Sequence, residues 1–262
     1  MPIITLTTDF GTGSHYVAQL KGVLLTGAPS ATLIDLSHDI PPQGIAAAAR
    51  LLELGTPRFP AGTVHLAVVD PGVGTERAIV AVRVGGHHYV GPDNGLFGWL
   101  NGWIDGAVAL DLERLSVEAA SATFHGRDIM APVAARLARG ERLAALGDAV
   151  EELVCLPAVP TPLARPGRIE GQIVEVDTFG NLISNIPLGM LSRAPRNNRL
   201  CVSLGEHETY GLQTTYADQD PQTLVALVGS GGMLELAIVN GNAAQMIAAG
   251  EGDMLVVSWC PT

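Results

Sequence analysis

The sequence predicts an α/β protein: an N-terminal α/β domain with a central, largely parallel sheet, followed by a smaller C-terminal β-rich, barrel-like domain. Three observations predict it. Short apolar runs alternate with helical stretches through the first half of the chain. A proline cluster, Pro157, Pro160, Pro162 and Pro166, then interrupts the pattern. Beyond it come short β-like stretches separated by Gly, Asn and Asp. Strands interleaved with helices favour a sheet covered on both faces, because each crossover helix packs back onto it. Proline is stiff and lacks the N–H that a ladder requires, so its clustering marks a linker. The domains are therefore placed at 1–157 and 167–262.

Residues 3–7 read as a buried strand ending in Thr8-Asp9-Phe10-Gly11-Thr12-Gly13, and Ser14 is suited to cap a helix that runs to Gly27 before Pro29. A strand at 32–36 and a helical stretch at 44–54 follow. The apolar run 64–69 is the next strand and delivers Asp70 into a Pro-Gly turn. Residues 79–84 and 87–90 pair across Gly85-Gly86, with His87-His88 read as surface hairpin residues, and 108–110 adds a short strand. An amphipathic helix spans 127–139, directly after Phe124-His125-Gly126. In the second domain the strands are 168–176, 182–185, 200–204, 223–228, 234–239 and 255–259.

Composition removes several function classes. A chain of 262 residues with 47% hydrophobic residues can bury a substantial core. Its net charge of −11 opposes sequence-independent binding of nucleic acid, whose phosphates require a basic surface. No apolar run reaches the roughly 18 to 20 residues that span a bilayer, so no membrane partner is expected. The first lysine is Lys21, which leaves no basic leader, and a cytoplasmic protein is expected. Cys155, Cys201 and Cys260 are widely separated and odd in number, which suggests buried, reduced thiols, not a disulfide framework or a zinc site.

The candidate chemistry lies in clusters that combine polar residues with glycine. Asp70-Pro71-Gly72-Val73-Gly74 with Arg77 places a carboxylate at a strand end and a guanidinium seven positions later. Strand ends beside glycine-rich loops are where open α/β sheets build ligand sites. The others are Thr8-Asp9-Phe10-Gly11, Gly91-Pro92-Asp93-Asn94-Gly95, Phe124-His125-Gly126-Arg127-Asp128, Asp177-Thr178-Phe179-Gly180-Asn181, and Gly229-Ser230-Gly231-Gly232 followed by Glu235. Each has a plain structural reading: Asp-Pro-Gly and Asn-Gly make turns, and Asp128 complements a helix N-terminus. His125, just before a helix, is favoured as a neutral ring able to accept a proton.

In order, TTDFG, VVDPGVGTER, GPDNGLF, FHGRDIMAP, DTFGNLISNI and GSGGMLELAIVNGNAA resemble the S-adenosyl-L-methionine (SAM) hydroxide adenosyltransferases. These are adenosine-forming SAM hydrolases, related to fluorinases and chlorinases. The resemblance implies that Asp70, Arg77 and His125 prepare a water or hydroxide to attack C5′ of SAM. It implies that Asp9 grips the ribose hydroxyls, that Asp177 and Ser230 hold the methionine end, and that Phe179 and Asn181 line the adenine pocket. Asn94 and Glu235 join them as candidate substrate-binding residues. SAM is then the substrate, adenosine and L-methionine are the products, and neither cofactor nor metal is expected. The resemblance further implies a homotrimer with the site at the subunit interface.

The chemistry fits such residues. A sulfonium leaves as a neutral thioether and needs no general acid; the difficulty is the nucleophile, because bulk water has a pKa of about 15.7. A cationic Arg77 favours hydroxide, and Asp70 or neutral His125 could take the proton. Because the chain keeps both Arg77 and His125, the halide-binding pattern of the halogenases is not evident around Asp70, which favours hydroxide as nucleophile. Gly231 stands where the fluorinase carries a charged side chain. Three other functions fit parts of the pattern: a SAM-dependent halogenase, a metal-dependent phosphoesterase built on Asp9, Asp70, Asp93 and His125, and a non-catalytic SAM or adenosine sensor.

Overall fold

The computed structural model describes residues 1–117 and 119–260. The chain divides into two compact units, Met1–Pro157 and Ala158–Thr262. The first contains β1 (Ile3–Thr8), α1 (His15–Gly27), β2 (Thr32–Ser37), α2 (Ile45–Gly55), β3 (Val64–Val68), β4 (Ile79–Val84), β5 (His87–Pro92), β6 (Gly106–Leu110), α3 (Leu112–Leu115), α4 (Ala131–Ala138) and β7 (Gly147–Ala149). Its strands form one sheet in the order β2-β1-β3-β5-β4-β6-β7.

The sheet is mixed. β1 runs parallel to β2 and β3, and β3 parallel to β5, as crossover connections require. The pairs β4–β5, β4–β6 and β6–β7 are antiparallel. Gly85 and Gly86 explain the switch: with φ of 57° and 85° they close a two-residue hairpin that side-chain-bearing residues enter only with strain. Successive residues of β3 point to opposite faces. Val64, Leu66 and Val68 pack with Leu20 and Leu24 of α1 and Val133 and Leu137 of α4, whereas Ala67 packs with Ala48 and Leu52 of α2. Both faces are thus covered, and β3 is buried along its whole length.

Two expectations for this unit are corrected. The helix foreseen from Arg127 instead opens with a π-helical turn, Gly126–Met130, and α4 begins only at Ala131. Pro132 cannot donate to the carbonyl four residues back, so the turn before it widens. His87 and His88 are half-buried, not surface residues. His87 Nδ1 lies 3.2 Å from Nε2 of fully buried His65, whose Nδ1 contacts Thr5 Oγ1 at 2.8 Å. Burial, aided by the neighbouring His87, lowers the His65 pKa to about 3 and keeps that ring neutral.

The second unit contains β8 (Leu163–Arg165), β9 (Arg168–Val176), β10 (Leu182–Pro187), β11 (Leu200–Leu204), β12 (His207–Tyr210), β13 (Leu224–Val228), β14 (Met233–Ile238), α5 (Ala243–Met246) and β15 (Met254–Trp259). Neighbours follow the order β12-β11-β15-β9-β10-β14-β13, all antiparallel, with β8 attached to β9. The two ends of the path meet where Thr209 Oγ1 donates to the Leu224 carbonyl at 2.7 Å, so the sheet is a nearly closed barrel. Alternate residues of β10 and β11 are buried, and their inward side chains join one core around Ile173, Leu182, Val202 and Leu236. The cysteine expectation is half right: all three are free, but Cys155 and Cys260 are exposed and Cys201 only half-buried. Among the described residues no helix is long and apolar enough to cross a membrane.

Candidate active site

β1 and β3 are parallel neighbours with Thr8 opposite Val68, so Asp9 and Asp70 leave the sheet at the same end. Asp70 begins a turn closed by the Val73 N–H on its carbonyl at 3.2 Å, and Gly74 continues it with φ of 81°. The turn folds Arg77 back onto Asp70. Arg77 Nε donates to Oδ1 at 2.8 Å and Oδ2 at 2.9 Å, and Nη2 also donates to Oδ2. Nη2 further contacts His125 Nδ1 at 3.1 Å. The three residues placed together from sequence therefore converge, with the guanidinium in the middle. Only 5% of the Asp70 side chain and 11% of the Arg77 side chain are exposed, so the pair is held away from bulk water.

A guanidinium can only donate, so Nδ1 of His125 is the acceptor and the ring proton resides on Nε2. Desolvation lowers the His125 pKa, the Arg77 charge lowers it further, and Asp70 and Asp128 oppose the shift. The ring is held neutral. Its position is framed by its neighbours: Arg127 lies over the Phe124 ring at 4.8 Å and donates from Nε to Asp128 Oδ1 at 2.6 Å, and Asp128 Oδ2 accepts from the Ser121 N–H at 2.9 Å. Gly126 is required by packing. A Cβ there would come within 2.8 Å of Val68 Cγ1, so only glycine lets the π-helical turn seat His125 beside the end of β3.

Asp9 sits in the loop after β1, where one carboxylate oxygen accepts from the Gln43 N–H at 2.9 Å. The next residue, Phe10, packs edge-on against Phe124 with ring centroids 5.7 Å apart, and Tyr16 packs on Phe124 at 5.1 Å. This aromatic contact joins the Asp9 loop to the His125 segment, and Tyr16 carries no motif that would have revealed it. Asn94 lies differently from its sequence reading as a ligand group. Its amide donates to the Val69 carbonyl at 2.9 Å and its oxygen accepts from the Leu96 N–H at 3.3 Å, so both polar atoms brace the strand end that carries Asp70. Asp93 accepts from the Val154 N–H.

In the second unit Asp177 closes the turn between β9 and β10. Its carboxylate accepts from the N–H groups of Phe179 and Asn181 at 2.9 and 2.8 Å and from Asn181 Nδ2 at 2.9 Å. Asn181 is buried, whereas the Phe179 ring is 75% exposed. Ser230 is exposed at the tip of the β13–β14 hairpin. Glu235, on β14, is buried and accepts a hydrogen bond from Tyr216 Oη. Burial raises the Glu235 pKa, and the charges of Asp177 and Glu175 add to the rise. Tyr216 escaped the sequence reading; the only trace of it was the capping pair Thr215 and Asp218 around it. The buried acidic group, the exposed aromatic ring and the serine thus lie on loops and strands contiguous through β9, β10, β14 and β13.

An α/β unit with a carboxylate–guanidinium–imidazole set at its strand ends, joined in one chain to a β-barrel unit with a second polar cluster, has the make-up of a two-domain enzyme. Family models agree: residues 4–147 match the SAM hydroxide adenosyltransferase N-terminal domain and residues 171–256 the C-terminal domain. The chain belongs to the SAM hydroxide adenosyltransferase family. It is 40% identical to an (R)-S-adenosyl-L-methionine hydrolase of Salinispora arenicola, with 98% of each chain covered. A fluorinase of Actinoplanes is 30% identical over 74% of each chain. A crystal structure of an uncharacterized conserved protein from Thermotoga maritima superposes with a TM-score of 0.88 at 33% identity, covering 97% of this chain and 99% of that one.

Proposed function

We propose that this enzyme hydrolyses SAM to adenosine and L-methionine by in-line attack of an activated hydroxide on C5′. The observation that carries the proposal is Arg77 held between Asp70 and His125. Asp70 fixes the guanidinium, and the guanidinium supplies the charge that favours hydroxide. Arg77 holds Asp70 by three hydrogen bonds and His125 Nδ1 by one, so a single exchange of that bond frees the ring, and His125 is taken as the proton acceptor. The water proton passes to Nδ1 as Nη2 transfers its hydrogen bond from the ring to the new hydroxide. The C5′–O bond forms as the C5′–S bond breaks, and the sulfonium electron pair returns to sulfur, giving neutral methionine.

In this reading Asp9 holds the ribose hydroxyls, Phe179 and Asn181 take the adenine, and Asp177, Ser230 and Glu235 receive the amino-acid end, whose ammonium suits acidic side chains. No metal or organic cofactor takes part. The assembly is a homotrimer whose sites lie between subunits. The name of the Salinispora relative specifies the (R) sulfonium epimer, so both epimers belong in the assay. The decisive test is turnover in ¹⁸O-labelled water with chloride and fluoride present. Label in the 5′-hydroxyl of adenosine is expected; a 5′-halo product, or adenosine without label at that oxygen, refutes the reaction.

A further inference from the structure

We infer that His38 is a positioning residue that fixes the Asp9 carboxylate for the ribose, through a polar chain that runs from buried Thr8 and His38 out to the solvent-facing pair Asp35 and Lys21. The inference rests on the reading of Asp9 given above. His38 directly follows β2, and only 6% of it is exposed. Its Nδ1 lies 2.8 Å from Thr8 Oγ1, one residue before Asp9. Its Nε2 lies 3.0 Å from Asp35 Oδ1 without a full hydrogen bond. The other oxygen of Asp35 accepts from Lys21 Nζ at 2.6 Å.

The ring is only half of the clamp. The His38 carbonyl accepts from the Gly11 N–H at 2.8 Å, so this residue grips the Asp9 loop on both sides, at Thr8 and at Gly11. Thr8 Oγ1 in turn accepts from the Phe10 N–H at 3.3 Å. A hydroxyl keeps a second lone pair as well as its hydrogen, so Thr8 can still meet Nδ1 in either ring tautomer. The segment after His38 completes the cradle. Asp39 accepts from the Thr12 N–H at 2.9 Å and from Thr12 Oγ1 at 2.6 Å. Gln43 adopts φ of 63°, a left-handed conformation costly for a residue with a side chain, and donates its N–H to Asp9 Oδ2. Core packing alone does not call for a histidine here, because a buried polar ring destabilises the fold unless its hydrogen bonds are made. Nδ1 of this ring is spent on the Asp9 loop, and Nε2 faces the Asp35 carboxylate that is itself held by Lys21.

The test is a double-mutant cycle read by adenosine affinity and by SAM turnover, with melting temperature recorded throughout. His38→Leu is expected to weaken adenosine binding about tenfold and to raise KM for SAM by a similar factor, with a smaller change in kcat. In the Asp9→Asn background the same change should add less than about twofold. His38→Asn, which keeps a polar group near the Nδ1 position, should recover most of the loss. Thr8→Val cuts the same link without removing the ring and should reproduce the affinity loss if His38→Leu fails to fold. Equal factors in the two backgrounds, or a lowered melting temperature with unchanged adenosine affinity, overturn the inference. A wild-type enzyme that binds adenosine but forms none from SAM sinks the hydrolase reading instead, and the affinity cycle still decides the role of His38.

Discussion

At the scale of single residues, Arg77 is set apart by having two partners of different kinds. Its contacts with Asp70 fix its plane, while its contact with His125 sets the tautomer of a ring that must stay neutral to take a proton. Arg77→Lys keeps the charge but loses the fork, and kcat/KM should fall by about 10²- to 10⁴-fold. The titration has a definite sign. The folded pKa of His125 is depressed by burial and by Arg77, so the neutral ring persists below the ordinary imidazole value of about 6.5. The acid limb of kcat/KM should therefore lie below about pH 6.5, flat above it and falling as pH drops through the lowered value. NMR titration of His125 checks the cause: Arg77→Gln should move the midpoint upward, because the repelling charge is gone and Asp70 remains. A midpoint unmoved by that substitution contradicts the electrostatic assignment.

At the scale of elements, two glycines bring the site together. Gly74 passes so close to the Ala122 carbonyl that a Cβ would lie 2.9 Å from it, and Gly126 meets Val68 in the same way. Gly126→Ala would press a methyl onto the buried Val68 side chain, and a retreat of the π-helical turn would carry His125 from Arg77. Overpacking of this kind costs about 1–3 kcal/mol, and a displacement of the order of 1 Å costs about 10²-fold in rate. Kinetics and denaturant melts on Gly126→Ala, alone and with Val68→Ala to reopen the space, separate the two losses. The second change should restore part of the activity; wild-type kcat/KM in Gly126→Ala alone would show that seating His125 does not depend on this contact. The sequence signalled Asp70, Arg77 and His125 but not this packing, because apolar periodicity reports which face is buried and not how closely two backbones approach. For the same reason β8 was hidden among prolines: it is a three-residue edge strand whose pairing with β9 follows from tertiary contact, and its flanking prolines fall outside the ladder.

At the scale of the whole molecule, the strands of both units could be read from alternation and turn residues, whereas side-chain networks between distant segments could not. His38, Asp35, Tyr16 and Tyr216 belong to no motif; their roles arise from contacts across 14 to 108 residues of chain, as in Lys21 to Asp35 or Gln19 to Arg127. Asn94 shows the converse, since a motif residue is spent on bracing its own strand end. The candidate groups are divided between Met1–Pro157, with Asp9, Asp70, Arg77 and His125, and Ala158–Thr262, with Asp177, Phe179, Asn181, Ser230 and Glu235. If each site in a homotrimer combines the first unit of one copy with the second unit of the next, damage in different units must complement. Asp70→Ala inactivates the first half of a site and Asp177→Ala the second, while each leaves the other half intact. In trimers assembled at random from equal amounts of both variants, about one site in four draws both halves from undamaged units under cyclic symmetry. Co-expressed variants should thus recover about a quarter of wild-type turnover, although each alone is inactive. Recovery at this level, with a trimeric mass in solution, supports the shared site; co-assembled trimers that stay inactive place all the working groups of a site within one chain.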